Sequence, residues 1–351
     1  MNTLRHSTIT GWGFYAPERV VTNDELAETV DTSDEWIRTR SGIRERHFVG
    51  PEEFTSTMSV AASEQAMERA GITAADLDLI LVATSSPDYM TPPVSSQIQD
   101  MLGARCGAMT LVVGCTGFVY GVVTAHQFIA SGAASTVLVI GAETISRNLN
   151  WEDRTTCVLF GDGAGAVVMQ ATEQDAGVRA HVLGSDGSGA QHLIQVAGGT
   201  RNPPTPENIA AGDNYLQMNG REVFKFATSK MVESLEQVMA QAGVGPDDID
   251  LFIPHQANAR IIEYAVHKSG IPPEKVVVNV DRYGNTSAAT IPIALAEAFD
   301  AGRVQPGDTL ALVGFGAGLT WAACLFQLAA EPVAPTNGKK HKHEAVEGFI
   351  A

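Results

Sequence analysis

The chain has 351 residues, 44% of them hydrophobic, four cysteines and a formal net charge of −17. That length supports a large core or two domains, and the composition is that of a soluble globular protein. No apolar run is long enough to span a bilayer, so no membrane partner is expected. So acidic a balance excludes a general nucleic-acid binder, which needs a basic surface.

In chain order, the opening MNTLRHSTITGWG lacks the apolar core of a signal peptide. With no secretory signal and no CxxC pair, neither a disulfide framework nor a metal site is expected, and the predicted setting is the reducing cytoplasm. Next, DEWIRTRSGIRERH concentrates Trp36, Arg38, Arg40, Arg44 and Arg46 in an acidic chain. One reading is a solvated helix face paired through Asp34 and Glu35. The sharper one is an aromatic platform with arginines for a nucleotide and its phosphates, which Arg154 in NWEDRTTC would join.

MERAGITAADLDLILVA, residues 67–83, reads as a helix end, a glycine stop, an acidic turn and a strand. MAQAGVGPDDIDLFIPH, residues 239–255, repeats it. The register continues: CTGFVYGVVTAHQFIASG, ending at Gly132, matches NTSAATIPIALAEAFDAG, ending at Gly302, and VLVIGAE matches TLALVGFG. Three matched segments in one order predict two duplicated α/β halves, 1–175 and 176–331, with mixed sheets and buried central helices. The polar, aperiodic segment 332–351 is expected to be a flexible tail.

VVGCTGFVYG sets Cys115 between Gly114 and Gly117, before a helix (Phe118 to Ser131) that is apolar almost all round and hence buried. Free N–H groups and the helix dipole favour a thiolate there. His255 follows a predicted strand in FIPHQANARI. Alone it would be a satisfied core histidine, as Asn285 in RYGNTSAAT would be a helix cap. Together the three occupy loops at strand ends, where α/β proteins carry their sites. GDGAGAVVM resembles a dinucleotide loop, but β-rich sequence follows it instead of a helix, so that reading fails.

GCTGFVYG, HQANARI, YGNTSAA and GFGAGLTW, in that order, with TSDEWIRTRSGIRER and YLQMNGREVFKFA, resemble β-ketoacyl-acyl-carrier-protein synthase III over roughly Ile9 to Ala330. The resemblance implies the thiolase-like fold, usually as a homodimer, and a reaction with no cofactor, the CoA thioester being a substrate. Cys115 would take the acyl group of a primer acyl-CoA, with N–H groups of Cys115 and of the turn near Ala317 holding the oxyanion. His255 and Asn285 would donate hydrogen bonds to malonyl-acyl-carrier protein as it loses CO2, and Phe315 would keep water out. Trp36, Arg40 and Arg154 would bind CoA, and Lys225, Arg260 and Lys268 the acidic carrier protein. Thr91 aligns with a primer-channel end that resembles phenylalanine in acetyl-limited relatives.

Thiolases need a second cysteine in the C-terminal glycine-rich loop, and GFGAGLTWAAC has none among its glycines. Plant-type polyketide synthases share the Cys-His-Asn set, but WIRTRSGI favours the primer-condensing group. The alternatives kept are a condensing enzyme or acyltransferase of specialised polyketide metabolism, and a Cys-His-Asn hydrolase that needs no malonyl donor.

Overall fold

The computed structural model describes residues 4–333; positions 334–351, most of the expected tail, lie outside the described residues. Five strands form one mixed sheet in the order His6–Tyr15, Gly163–Thr172, Thr136–Glu143, Leu79–Ala83, Gly107–Leu111. Thr136–Glu143 and Gly107–Leu111 both run parallel to Leu79–Ala83, while Gly163–Thr172 is antiparallel to its two neighbours. A second sheet repeats this order as Gly177–Ser185, Thr320–Gln327, Thr309–Gly316, Leu251–Pro254, with the same directions. Where the first sheet has its fifth strand, the second has a single parallel bridge, Phe252 to Val276.

The matched segments carry matched chemistry. Helix Thr55–Ala70 ends at Gly71 (φ 66°) and helix Gly220–Ala242 at Gly243 (φ 70°), left-handed positions that glycine takes without a Cβ clash. Each leads through a short 3-10 turn into a strand. Asp76 and Asp248 accept the N–H of Thr73 and Gly245, closing these turns. Asp78 accepts the N–H groups of Ser135 and Thr136, and Asp250 that of Thr309, so each tethers the start of the neighbouring parallel strand.

Helices Gly117–Ala130 and Thr290–Asp300 lie between the two sheets in one core with both. Phe118, Val122, Ile129 and Leu295 are fully buried there, each contributing roughly 1.5–3 kcal/mol of transfer free energy. The outer face of the first sheet is covered by Thr55–Ala70 and Val94–Met101, that of the second by Gly220–Ala242 and Ala259–Ser269. The result is five layers, α/β/α/β/α. Close approach of the central layer needs bare backbone: a Cβ on Gly141 would stand 2.2 Å from the Ala288 carbonyl oxygen. That contact brings the turn Ser287–Ala289 down onto the end of strand Thr136–Glu143. Among the described residues no helix is long and apolar enough to cross a membrane.

Candidate active site

A cavity of about 330 Å³ opens between the two halves and brings Cys115, His255, Asn285 and Phe315 together at its buried end. Cys115 sits in the 3-10 turn Gly114–Thr116, directly before the buried helix. The Thr116 hydroxyl fixes the turn, 2.7 Å from the Val113 carbonyl and 3.1 Å from the Thr320 hydroxyl. Across from it, a Cβ on Gly316 would stand 2.6 Å from the Cys115 nitrogen, so the strand end packs on the nucleophile's backbone. Ala317 does not line the cavity, whereas Gly316 does.

The helix start was expected to favour a thiolate at Cys115. Instead, burial pushes the thiol from 9.0 up to about 12, against the lowering effect of the Ser287 hydroxyl. That rise is worth about 4 kcal/mol, more than the roughly 0.3–2 kcal/mol a helix terminus supplies. Cys115 therefore rests as a thiol, and its Sγ–H donates to Ser287 Oγ at 3.3 Å.

His255 follows strand Leu251–Pro254, tied by its N–H to the Val313 carbonyl at 2.8 Å. Burial alone lowers its pKa to about 3, so the ring is neutral at pH 7. Its Nδ1 meets the Thr290 hydroxyl at 2.6 Å, which also reaches the Ser287 carbonyl at 3.0 Å. A hydroxyl has one proton. When it goes to Ser287, His255 carries its proton on Nδ1; when it goes to Nδ1, His255 presents Nε2–H. Nε2 is buried and has no hydrogen-bond partner among the described residues. Phe315 stands edge-on to this ring, centroids 5.1 Å apart. Asn285 accepts the Ser287 N–H on Oδ1 at 2.8 Å, which fixes the amide orientation and leaves its NH2 as the donor on the opposite side.

At the open end, helix Asp34–Ser41 carries Trp36, capped by Ser33. The guanidinium carbons of Arg40 and Arg154 lie 4.5 and 5.1 Å from the indole ring centre. The arginine island divides. Arg38 pairs with Asp34 on the surface, while Arg46 is fully buried, donating to the Val21 and Val158 carbonyls and to Asn23. Arg260 lines the cavity rim and lies over Phe224 at 5.5 Å. Lys225 and Lys268 are exposed on the two outer helices and do not line the cavity. Thr91 lies exposed on an outward loop beside Tyr89 and Met90, 61% and 80% exposed, and is not among the residues of this chain that line the cavity.

Sequence reasoning missed Ser287, Thr290 and Glu143. The available signal was Glu143 itself, an acid closing the apolar strand VLVIGAE. It is fully buried and accepts from Thr84, the Ser85 N–H, Ser86 and Ser287.

Residues 109–187 match the family described as 3-oxoacyl-[acyl-carrier-protein (ACP)] synthase III, and residues 239–328 its C-terminal part. The β-ketoacyl-[acyl-carrier-protein] synthase III of Symbiobacterium thermophilum is 52% identical over 321 residues, covering 91% of this chain and 97% of that one. The solved synthase III of Thermus thermophilus is similar with a TM-score of 0.86 at 45% identity, covering 92% of this chain and all (100%) of that one. The priming β-ketosynthase of the R1128 polyketide pathway gives 0.87 at 34% identity, covering 95% and 99%. The fold is the thiolase-like one, and the chain belongs to the 3-oxoacyl-[acyl-carrier-protein] synthase III family.

Proposed function

We propose that this chain condenses a primer acyl-CoA with malonyl-acyl-carrier protein, through an acyl-Cys115 intermediate, to give a 3-oxoacyl-acyl-carrier protein and so initiate fatty acid synthesis. The observation that carries this reading is one cavity with Cys115, His255 and Asn285 at its buried end and Trp36, Arg40 and Arg154 at its open end. Cys115 attacks the primer thioester and CoA leaves. The N–H of Cys115, with that of Ala317 beside Gly316, stabilises the oxyanion. Malonyl-acyl-carrier protein then loses CO2. The enolate oxygen that forms takes hydrogen bonds from the Asn285 NH2 and from His255 Nε2–H, the tautomer in which Thr290 donates to Nδ1. A neutral donor serves here without placing a second ion in a closed site. The nucleophilic carbon attacks the acyl-Cys115 carbonyl, and the thiol is released.

Trp36 offers a ring and Arg40 and Arg154 offer charge for the adenine and phosphates of CoA. Arg260, with Lys225 and Lys268, is the docking face for the acidic carrier protein, a local basic patch on a chain of net charge −17. The halves divide at 175/176, in the link between strands Gly163–Thr172 and Gly177–Ser185. A homodimer is favoured by the edge strand Gly107–Leu111, paired on one side only, beside Val112, 72% exposed. The setting is the cytoplasm, and no cofactor is used. Priming of a specialised polyketide pathway is the second reading, favoured by the likeness to the R1128 enzyme. The test is turnover on a panel of acyl-CoAs with malonyl-acyl-carrier protein, with products and the acylated peptide identified by mass. Label on Cys106, Cys157 or Cys324 instead of Cys115, or free acid released without malonyl donor, would overturn it.

A further inference from the structure

The thiol of Cys115 is directed at the Ser287 hydroxyl. Its Sγ–H donates to Ser287 Oγ at 3.3 Å, and Ser287 Oγ–H donates onward to Glu143 Oε1 at 3.0 Å. All three side chains are buried. Among the described residues Ser287 is the single non-glycine residue with a left-handed φ, 51°. Such a conformation persists where its surroundings over-determine it, and it concentrates at functional sites. Here Asn285 Oδ1 accepts the Ser287 N–H and holds the residue in place. The catalytic loop thus pins the residue so that its hydroxyl stands between sulfur and carboxylate.

Glu143 has no lysine or arginine partner among the described residues. Burial raises the pKa of its carboxyl, and the hydrogen bonds from Ser86, Ser287, Ser85 and Thr84 work against that rise in favour of the carboxylate. The other deeply buried carboxyl, Asp162, is a clamp: it accepts from Val49 and Ser146, neither of which lines the cavity. Glu143 differs in that one of its donors is itself bonded to the nucleophile.

We propose that Ser287 and Glu143 are the proton relay of Cys115. As Sγ attacks, its proton passes to Ser287 Oγ and the Ser287 proton passes to Glu143. The resulting carboxylic acid donates to Ser287, whose hydroxyl now donates to the sulfur. In acyl transfer the Sγ–acyl bond forms, the acyl–sulfur bond to CoA breaks, and the CoA thiolate takes a proton from solvent. Glu143 keeps its proton through the acyl-enzyme and returns it by the same path when condensation expels Cys115. The transfer moves one negative charge from carboxylate to sulfur and leaves the net charge of the buried site unchanged. Transfer to His255 would instead create two new ions, and burial opposes the imidazolium. Glu143 acts through Ser287 and so positions and supplies the proton without touching substrate.

The acyl-CoA step rests on the function proposed above; the relay does not, so the test uses iodoacetamide, which needs only a thiolate. Alkylation of Cys115 is followed by peptide mass in wild type, Glu143→Gln and Ser287→Gly, with the thermal midpoint as a check on folding. Glycine suits the left-handed backbone at 287, so that variant keeps the fold. Both variants should alkylate slower by on the order of 100-fold, and solvent deuterium should slow the wild type but neither variant. A wild-type rate in Ser287→Gly overturns the relay, even if Glu143→Gln is slow, because Glu143 would then only clamp residues 84–86. If wild-type Cys115 alkylates in this pattern yet no acyl-CoA acylates it, the relay stands and the condensing-enzyme reading falls.

Discussion

Gly316→Ala isolates the contact between the glycine-rich strand end and the nucleophile. The added Cβ would stand 2.6 Å from the Cys115 nitrogen, 3.2 Å from its Cβ and 3.3 Å from its Cα. Ordinary contacts of this kind are about 3.5–4 Å, so roughly 1 Å of separation must be found. The opposing atoms are mostly backbone, at the head of a helix buried between two sheets, and cannot rotate aside. Gly316 is not among the glycines of positive φ, so alanine suffers no conformational strain and the contact alone is perturbed. Overpacking of this kind destabilises by about 1–3 kcal/mol, which a domain of this size tolerates. The catalytic effect should be larger. If the Cys115 N–H is an oxyanion donor, its displacement should cost about 100- to 1000-fold in acylation rate, or about 3–4 kcal/mol. Acylation by acyl-CoA is followed by quenched-flow mass spectrometry, and alkylation by iodoacetamide, which forms no oxyanion, is the control. Acylation should collapse while alkylation falls far less. A folded variant with unchanged acylation, or one that loses both reactions equally, refutes the oxyanion assignment.

Three other predictions follow from the same geometry. His255→Ala and Asn285→Ala should retain acylation of Cys115 but lose on the order of 100-fold in malonyl decarboxylation; normal decarboxylation in both removes them from the enolate step. Arg260→Glu should weaken use of malonyl-acyl-carrier protein far more than acylation by acyl-CoA, and should flatten the salt dependence of the former; equal losses would mean general damage. The His255 pKa is depressed from 6.5 to about 3, so the unfolded chain takes up a proton below 6.5 that the folded one refuses. Its contribution is present in full above pH 6.5 and is lost as pH falls toward 3. Between pH 7 and 5 the stability difference between wild type and His255→Gln should therefore shrink by about 2 kcal/mol, measured by urea unfolding. A constant difference would show that the ring is not buried neutral.

The duplication was legible because its markers are local: a left-handed glycine ending a helix, then aspartates that close a turn and tether a strand. Each leaves a short pattern, and the pattern occurs twice. What sequence could not supply was depth. Arg46 and Arg40 sit in one basic island, yet strand Glu45–Phe48 alternates and turns Arg46 inward while Arg40 stays on an exposed helix face. A helix start at Cys115 was readable, but how fully the cavity excludes water was not, and burial decides the thiol's protonation. Glu143 reads as the last residue of a strand. Its partners at 84–86 and 287 are brought to it by parallel pairing and by the close approach at Gly141, distances along the chain that no local pattern encodes. Thr91 was aligned with a channel end by residue counting alone, and the outward course of its loop is another feature that no local pattern encodes.

The two halves also explain why Glu143 and Gly316 both matter. Leu79 pairs with Val137 in the first sheet, and its repeat-mate Leu251 pairs with Leu310 in the second. Carried along the two strands, that register makes Glu143 and Gly316 equivalent positions. Each strand end meets the helix start of the opposite half, Glu143 at Ser287 and Gly316 at Cys115. Symmetry thus supplies two identical junctions, and the chemistry requires them to differ. In the mechanism proposed above, the junction at Cys115 is bare because a side chain there would displace the Cys115 N–H, 2.6 Å from a Cβ on Gly316, that is assigned to the oxyanion. The junction at Ser287 has no oxyanion to admit and can hold a buried carboxylate. Equivalent strand ends thus give one site of room and one site of hydrogen-bonded carboxyl, and both reach the same residue, Gly316 at the Cys115 backbone and Glu143 through Ser287 at its sulfur.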